Sequence, residues 1–210
     1  MIRSYRAWTV LALALVVLAG ASPLFAQAAK PAAAPAPAAA QPAAKAQAPV
    51  FLTSCGQSPG AVTVGVFLRR LQMDYDLKDT GTVKDLAAKP YKTIIIVTGS
   101  SLKGMGGAGV SIDDELSRAG ALIAEAKKRG IMVIGAHVEG MERRAKNAAP
   151  GDNSDEMSID AVCPKSQFLI VRKDGDEDGR FTAFAKKNIP VLFFEKNQEM
   201  QDVLKGVFGK

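Results

Sequence analysis

Three side chains in this sequence have types that could perform nucleophilic catalysis: Cys55, Ser58 and the single histidine, His137. An imidazole beside a thiol or hydroxyl can remove its proton and create a nucleophile. Gly56-Gln57-Ser58-Pro59-Gly60 also fits G-x-S-x-G, but in a nucleophile elbow the residue after the serine donates a backbone N–H to the oxyanion hole. Pro59 has no N–H. The pattern therefore favours Ser58 as a helix cap, and a hydrolase or thiol-dependent enzyme using Cys55 or Ser58 with His137 stays an alternative.

Gly104, Gly106 and Gly109 belong to a glycine-rich loop and fit G-x-G-x-x-G. In dinucleotide-binding domains this motif directly follows a strand, whereas five residues intervene here. Three acidic residues at positions 113–115 also occupy the positive end of the following helix, where an anion would meet like charge. We therefore expect no cofactor. The loop either contacts a ligand through its backbone or forms a lid or a turn that needs positive φ.

Two consecutive arginines, Arg143 and Arg144, are the most specific recognition element, because guanidinium groups bind carboxylates and phosphates in a bidentate manner. Serines and a lysine in loops expected at the same edge of the sheet would add hydrogen bonds and charge. The predicted ligand-binding set is Ser58, Ser100, Ser101, Lys103, Gly104, Gly106, Arg143 and Arg144.

The segment Asp174-Gly-Asp-Glu-Asp-Gly matches the first half of a calcium loop. Its twelfth position would be Ala185, so the bidentate glutamate of such loops is absent. We expect an acidic, solvated turn and no metal site, with Asp174, Asp176 and Asp178 as the candidate ligands if a metal binds.

Apolar strands alternate with amphipathic helices along residues 50–210. The run Thr93–Val97 has no polar alternation, which predicts a strand covered on both faces. Alternating strands and helices predict an α/β fold with a mostly parallel sheet of five or six strands in a three-layer sandwich, flavodoxin-like or Rossmann-like. In such sheets ligands bind in loops at the carboxyl ends of the strands.

The amino-terminal segment indicates export, and the small net charge of the remaining chain excludes nucleic acid as a partner. Arg3, Arg6, the apolar run from Trp8 and the Ala26-Gln27-Ala28 segment resemble a signal peptide over residues 1–28, with an uncleaved anchor as the alternative. Residues 29–49 form an Ala/Pro-rich linker. The first 49 residues hold four cations and no acid, so residues 50–210 carry a formal +2 of the total +6, too little for a nucleic-acid surface.

The two cysteines are not expected to form a disulfide, although the predicted compartment is oxidising. Cys55 follows a predicted strand and Cys163 precedes one, which would place them at opposite edges of the sheet.

Several motifs resemble an uncharacterised family of small secreted bacterial α/β proteins. They are Leu-Thr-Ser-x-Gly-Gln-Ser-Pro at 52–59, Lys-Gly-x-Gly-x-Ala-Gly-x-x-Ile-Asp-Asp-Glu at 103–115, the loop from Arg143-Arg144 to Ser154-Asp155, and Asp178-Gly179. The resemblance implies an exported domain of unknown function and supplies no activity, substrate or catalytic residue.

The sequence therefore predicts a periplasmic protein with one α/β domain, without a transmembrane segment after signal cleavage. We expect a binding module rather than an enzyme, with a small polar or anionic ligand or an envelope protein as its partner. A scaffold that docks other envelope proteins is the third alternative.

Overall fold

Six parallel strands form the central sheet. The computed structural model describes residues 45–210, so the predicted signal peptide, 1–28, and the linker residues 29–44 lie outside the described residues. The strands are β1 (Val50–Cys55), β2 (Tyr75–Leu77), β3 (Thr93–Thr98), β4 (Met132–His137), β5 (Phe168–Arg172) and β6 (Val191–Phe194).

The strand order β2-β1-β3-β4-β5-β6 decides between the two architectures expected from the sequence. Flavodoxin-like sheets begin with strands in the order 2-1-3, whereas Rossmann sheets begin 3-2-1. The order matches the flavodoxin-like type with one further strand, and every pairing between neighbours is parallel. The topological switch point therefore lies between β1 and β3.

Residues 45–210 form seven α-helices, six of which pack on the two faces of the sheet. They are α1 (Gly60–Arg70), α2 (Val83–Ala87), α3 (Leu102–Ala108), α4 (Ile112–Lys128), α5 (Ser154–Val162), α6 (Arg180–Ala185) and α7 (Met200–Phe208). Helices α1 and α7 share a buried cluster on one face, and α2, α4, α5 and α6 line the clusters of the other. The three-layer sandwich is confirmed. Among the described residues, none of the helices is long and apolar enough to cross a membrane.

Local sequence explains most of the boundaries. Every residue of β3 is buried, as its unbroken apolar run predicts. Capping boxes begin α2 at Thr82, with Asp85, and α4 at Ser111, with Asp114. The start of α1 differs from prediction: the helix begins at Gly60, after Pro59, and the Ser58 hydroxyl accepts from the Gly60 N–H at 3.1 Å.

The sequence predicts a glycine-rich loop after β3. This prediction is wrong, because most of the segment forms α3. Ser101 caps this helix by accepting a hydrogen bond from the Gly104 N–H at 3.0 Å, and Met105 is its one buried residue. The helix ends at Gly109, whose φ of 67° lies in the left-handed region that glycine favours. Tertiary anchoring and a cap thus outweigh the low helix propensity of three glycines.

Residues 45–49, which the sequence assigns to the linker, pack on the domain at the amino-terminal edge of the sheet. The Ala46 N–H donates to the Val207 carbonyl oxygen at 3.0 Å. Gln47 exchanges two hydrogen bonds with the Thr93 hydroxyl, at 3.1 and 2.7 Å. The chain therefore reaches β1 from the edge opposite the carboxyl ends of the strands.

Candidate functional site

The loops that follow β1 and β3 contact each other directly at the switch point. The Ser101 N–H donates to the Gly56 carbonyl oxygen at 2.7 Å, and Gln57 forms a bridge with Ser100. Gly56 has a φ of 105°, and a Cβ at this position would lie 2.7 Å from the carbonyl oxygen of Gly99. Only glycine permits this approach, so the loops after β1 and β3 pack closely at the switch point.

Beside this contact lies a group of residues that we call the crevice cluster: the side chains of Ser58, Glu139 and Arg143 and the carbonyl oxygen of Ser100. The Ser58 hydroxyl donates to the Glu139 carboxylate, which also accepts from the Gly60 N–H at 3.1 Å and from Arg143 Nε at 3.2 Å. Arg143 Nη1 donates to the Ser100 carbonyl oxygen at 3.0 Å. Arg143 retains 26% of its side-chain exposure, so the cluster reaches solvent.

The start of α5 supports the β3 loop from below. Gly99 N–H donates to the Ser158 hydroxyl at 2.7 Å, and Ser100 N–H donates to Asp155 Oδ1 at 2.5 Å. The hydroxyls of Ser100 and Ser154 are also hydrogen-bonded. Burial raises the pKa of the Asp155 carboxyl above its usual range. The position of Ser100 is therefore determined by α5.

Arg144 lies in a second group, the inner cluster, with Glu156, Asp178 and Phe181. Its Nε donates to Glu156 at 2.6 Å, its Nη2 donates to Asp178 at 2.8 Å, and its Nη1 donates to the Gly175 carbonyl oxygen. The guanidinium stacks over Phe181 at 5.8 Å, and only 2% of the residue is exposed. Hydrogen bonds from Arg144 hold the pKa of Asp178 at about 2. Arg144 thus joins the loops after β4 and β5 and does not face the crevice.

His137 is completely buried beside the inner cluster and stacks on Phe181 with ring centroids 4.9 Å apart. The Gly140 carbonyl oxygen lies 2.9 Å from Nε2, which must therefore donate, and Thr98 Oγ1 lies 3.1 Å from Nδ1. Burial lowers the pKa of the imidazole to about 4, so the ring is neutral at pH 7.

Cys55 is also buried, and its sulfur lies 3.8 Å from the Glu115 carbonyl oxygen. Burial, reinforced by the Glu115 carboxylate, raises the pKa of this thiol to about 12. A thiol with such a pKa is a poor nucleophile at neutral pH. The nitrogens of His137 contact Thr98 and Gly140, so the structure does not bring Cys55, Ser58 and His137 together. Cys163 is likewise a buried free thiol.

A buried ion pair on α4 holds the β1 loop from the other face. Glu115 is fully buried and accepts from the Gly56 N–H at 2.8 Å and from two nitrogens of Arg118. Arg118 also donates to the Ser54 carbonyl oxygen at 2.6 Å. Sequence reasoning treated Glu115 as an acid of the helix end. The sequence signal for a buried ion pair was the three-residue spacing between Glu115 and Arg118, because Glu115 lies on the otherwise apolar stripe of α4.

Comparison with known families confirms the resemblance to an uncharacterised family. Residues 47–208 match the family model described as Domain of unknown function (DUF6305), and this match includes all the motifs named above. The chain belongs to this family. The comparisons with curated proteins and with solved structures found no match.

The acidic turn of this DUF6305 domain directs its three aspartates to different partners. Asp174 pairs with Arg172 at 2.7 Å, and Asp178 pairs with Arg144. Asp176 accepts from the backbone N–H groups of Phe181 and Thr182 at the start of α6. Within residues 45–210, no group of three His, Cys, Asp or Glu side chains is arranged to hold a metal ion.

The remaining predicted ligand-binding residues of the DUF6305 domain lie on or next to α3. A Cβ at Gly104 would lie 2.5 Å from the Gln57 carbonyl oxygen, so this glycine allows α3 to pack against the β1 loop. Gly106 borders open space, and Lys103 is exposed. Lys103 and Ser101 are therefore near the contact between the β1 and β3 loops, whereas Gly106 has no neighbour there.

Proposed function

We propose that this domain is an exported, periplasmic binding module that takes a small polar or anionic ligand at the carboxyl ends of β1, β3 and β4. The observation that carries the proposal is Arg143. It spans the crevice from Glu139 to the Ser100 carbonyl oxygen and keeps part of its guanidinium exposed. Within residues 45–210 its Nη2 has no hydrogen-bond partner, so it can donate to a ligand.

The location also supports binding. In flavodoxin-like sheets, ligands bind at the switch point outside the carboxyl ends of the strands. Here Ser58 and Arg143 share Glu139, Arg143 reaches the Ser100 carbonyl oxygen, Ser101 bonds to Gly56, and Lys103 follows on α3 with an exposed side chain. Arg144 acts as a positioning residue in the proposed site, because it joins the loops after β4 and β5 without facing the crevice.

Binding is favoured over catalysis by the chemistry of the candidate nucleophiles. The Ser58 hydroxyl donates to the Glu139 carboxylate, which also binds Arg143, while the single imidazole of the chain contacts Thr98 and Gly140 and not Ser58. The thiol of Cys55 is protonated at neutral pH because of its raised pKa. Export to the periplasm rests on the sequence pattern of residues 1–28.

The test is a thermal-shift screen of the purified chain against carboxylates, phosphates and polar metabolites, because a ligand that binds only the folded state raises Tm. We expect a hit whose shift is lost in Arg143→Ala. Arg129→Ala is the matched control, since Arg129 also forms a partly exposed i,i+4 pair, with Glu125 at 3.0 Å. A ligand that binds both variants equally would refute the proposed site.

A protein partner is the second candidate, supported by two exposed apolar side chains on the helices that begin at this edge. Val62 in α1 is 51% exposed and Leu102 in α3 is 62% exposed. Substitution of both by Glu should abolish copurification of an envelope protein if their apolar surface forms the interface. Copurification that survives the double substitution would exclude this surface.

A further inference from the structure

We propose that the Glu139 carboxylate occupies the place of a ligand carboxylate at the start of α1, and that ligand binding displaces it. This inference rests on the proposed function and assigns its ligand a carboxylate group. Glu139 behaves as a bound anion: it receives hydrogen bonds from the Gly60 N–H and the Ser58 hydroxyl and pairs with Arg143. These are the donors that an external carboxylate would use.

The first turn of α1 attracts an anion because its N–H groups and dipole point toward the crevice. The eleven-residue helix has no acidic residue in that turn. Its negative charge is instead supplied by Glu139, 79 positions after Gly60 in the chain and carried on the loop after β4. A carboxylate on a loop can leave without unfolding α1, which a cap within the helix could not do.

A buried hydroxyl beneath this turn has no partner. Ser54 is 1% exposed, and its Oγ has no hydrogen-bond partner among the described residues. Ser54 is the register partner of Val97, so the two side chains project from the same face of the sheet. A Cβ at Gly60 would lie 3.0 Å from both Val97 Cγ1 and Glu139 Oε2. The Ser54 hydroxyl therefore lies on the face of the sheet that the start of α1 covers, beside Val97.

Buried polar groups without partners are rare and call for an explanation. A ligand that replaces Glu139 can place a second polar atom deeper, within reach of Ser54, which the tethered Glu139 does not satisfy. The exchange also leaves the charge next to Arg143 unchanged, because the carboxylate of the ligand replaces the carboxylate of Glu139. Glu139 belongs to the same chain and competes at a high effective concentration, so it excludes weak anions such as chloride.

The experiment is chemical rescue in the full chain. Glu139→Ala removes the internal carboxylate and should lower Tm. Formate or acetate, compared with chloride at equal ionic strength, should then raise Tm more in Glu139→Ala than in the wild type. Glu125→Ala is the control, since Glu125 forms a similar partly exposed pair with Arg129. The rise should shrink when Arg143→Ala or Ser54→Ala is added.

Absence of rescue, or equal rescue of Glu125→Ala, would overturn the proposal. If Glu139→Ala fails to fold, Glu139→Gln keeps an acceptor oxygen without the charge, and the Gly60 amide resonance should shift with formate. An unmoved resonance would refute the site. The rescue experiment needs no natural ligand. If the thermal-shift screen finds a ligand that requires Arg143 but formate does not rescue Glu139→Ala, the proposed binding function stands and the proposed role of Glu139 is refuted.

Discussion

Arg143 and Arg144 are adjacent in sequence but serve two clusters with different character. Arg144 is 2% exposed and has a partner for each of its three guanidinium nitrogens, whereas Arg143 keeps 26% of its side-chain exposure and pairs with one carboxylate and one carbonyl oxygen. A fully paired, buried guanidinium determines the position of loops. A partly exposed one can exchange its partner at little cost. The comparison therefore distinguishes Arg144, which holds the loops in position, from Arg143, which we propose contacts the ligand.

The largest expected effect comes from Arg144→Ala. Removing one member of a buried ion-pair network leaves its partners uncompensated, which costs about 3–5 kcal/mol of unfolding free energy. Asp178 would lose its ion-pair partner, Glu156 would keep only Arg180 at 2.9 Å, and the loops after β4 and β5 would separate. Urea unfolding at pH 7 measures the loss, and a change below about 1 kcal/mol would show that the inner cluster does not stabilise the fold.

The second effect is a pH dependence caused by His137. Its folded-state pKa of about 4 lies below the unfolded value of 6.5, so the unfolded state binds the proton more readily between these values. Stability should therefore fall by about 3 kcal/mol as the pH decreases from 6.5 to 4. His137→Gln, which keeps one donor and one acceptor, should show a smaller loss over the same range.

The same prediction has a direct spectroscopic check. His137 is the only histidine of the chain, so its ring proton resonance is unambiguous. The resonance should stay at its neutral position down to pH 5. A titration midpoint of this resonance near pH 6.5 would show that the His137 ring is exposed. The inner cluster would then not be the buried group that the comparison with the crevice cluster requires.

The smallest expected effect is that of Arg143→Ala on stability. Partly exposed ion pairs contribute about 0–1 kcal/mol, so this variant should unfold at nearly the wild-type urea concentration. Arg129→Ala is again the control. Equal destabilisation by Arg143→Ala and Arg144→Ala would abolish the distinction between the clusters, and would mean that Arg143 also holds the fold together.

Local features of the sequence predict much of the fold. The apolar run Thr93–Val97 lies in a strand as expected, and α2 and α4 begin at capping boxes, because strands and caps are determined by neighbouring residues. Strand order did not follow from these patterns, since flavodoxin-like and Rossmann-like chains share the same alternation. The helix α3 was missed because its glycines have low propensity and its anchor, Met105, acts through tertiary packing.

The candidate site was less predictable than the fold, because its contacts depend on tertiary packing between residues that are distant in the sequence. Arg143 and Arg144 carry identical local signals, and only the packing of residues 12 to 34 positions away directs one of them inward. Glu139 reaches a helix that begins 79 residues earlier, and no local pattern marks such a partner. Glu115 and Arg118 were visible as a helix pair, but their burial depends on the β1 loop above them.

Lys45 and Ala46 pack against α7 and the residue that follows it, which places the two ends of the described chain next to each other. Ala46 bonds to Val207, and Lys45 lies beside Gly209, so both flanks of the described chain emerge together at one pole. Strands of six residues, about 20 Å long, separate this pole from the crevice cluster. A tag, fusion partner or surface joined at either flank is therefore attached at the pole opposite the crevice cluster.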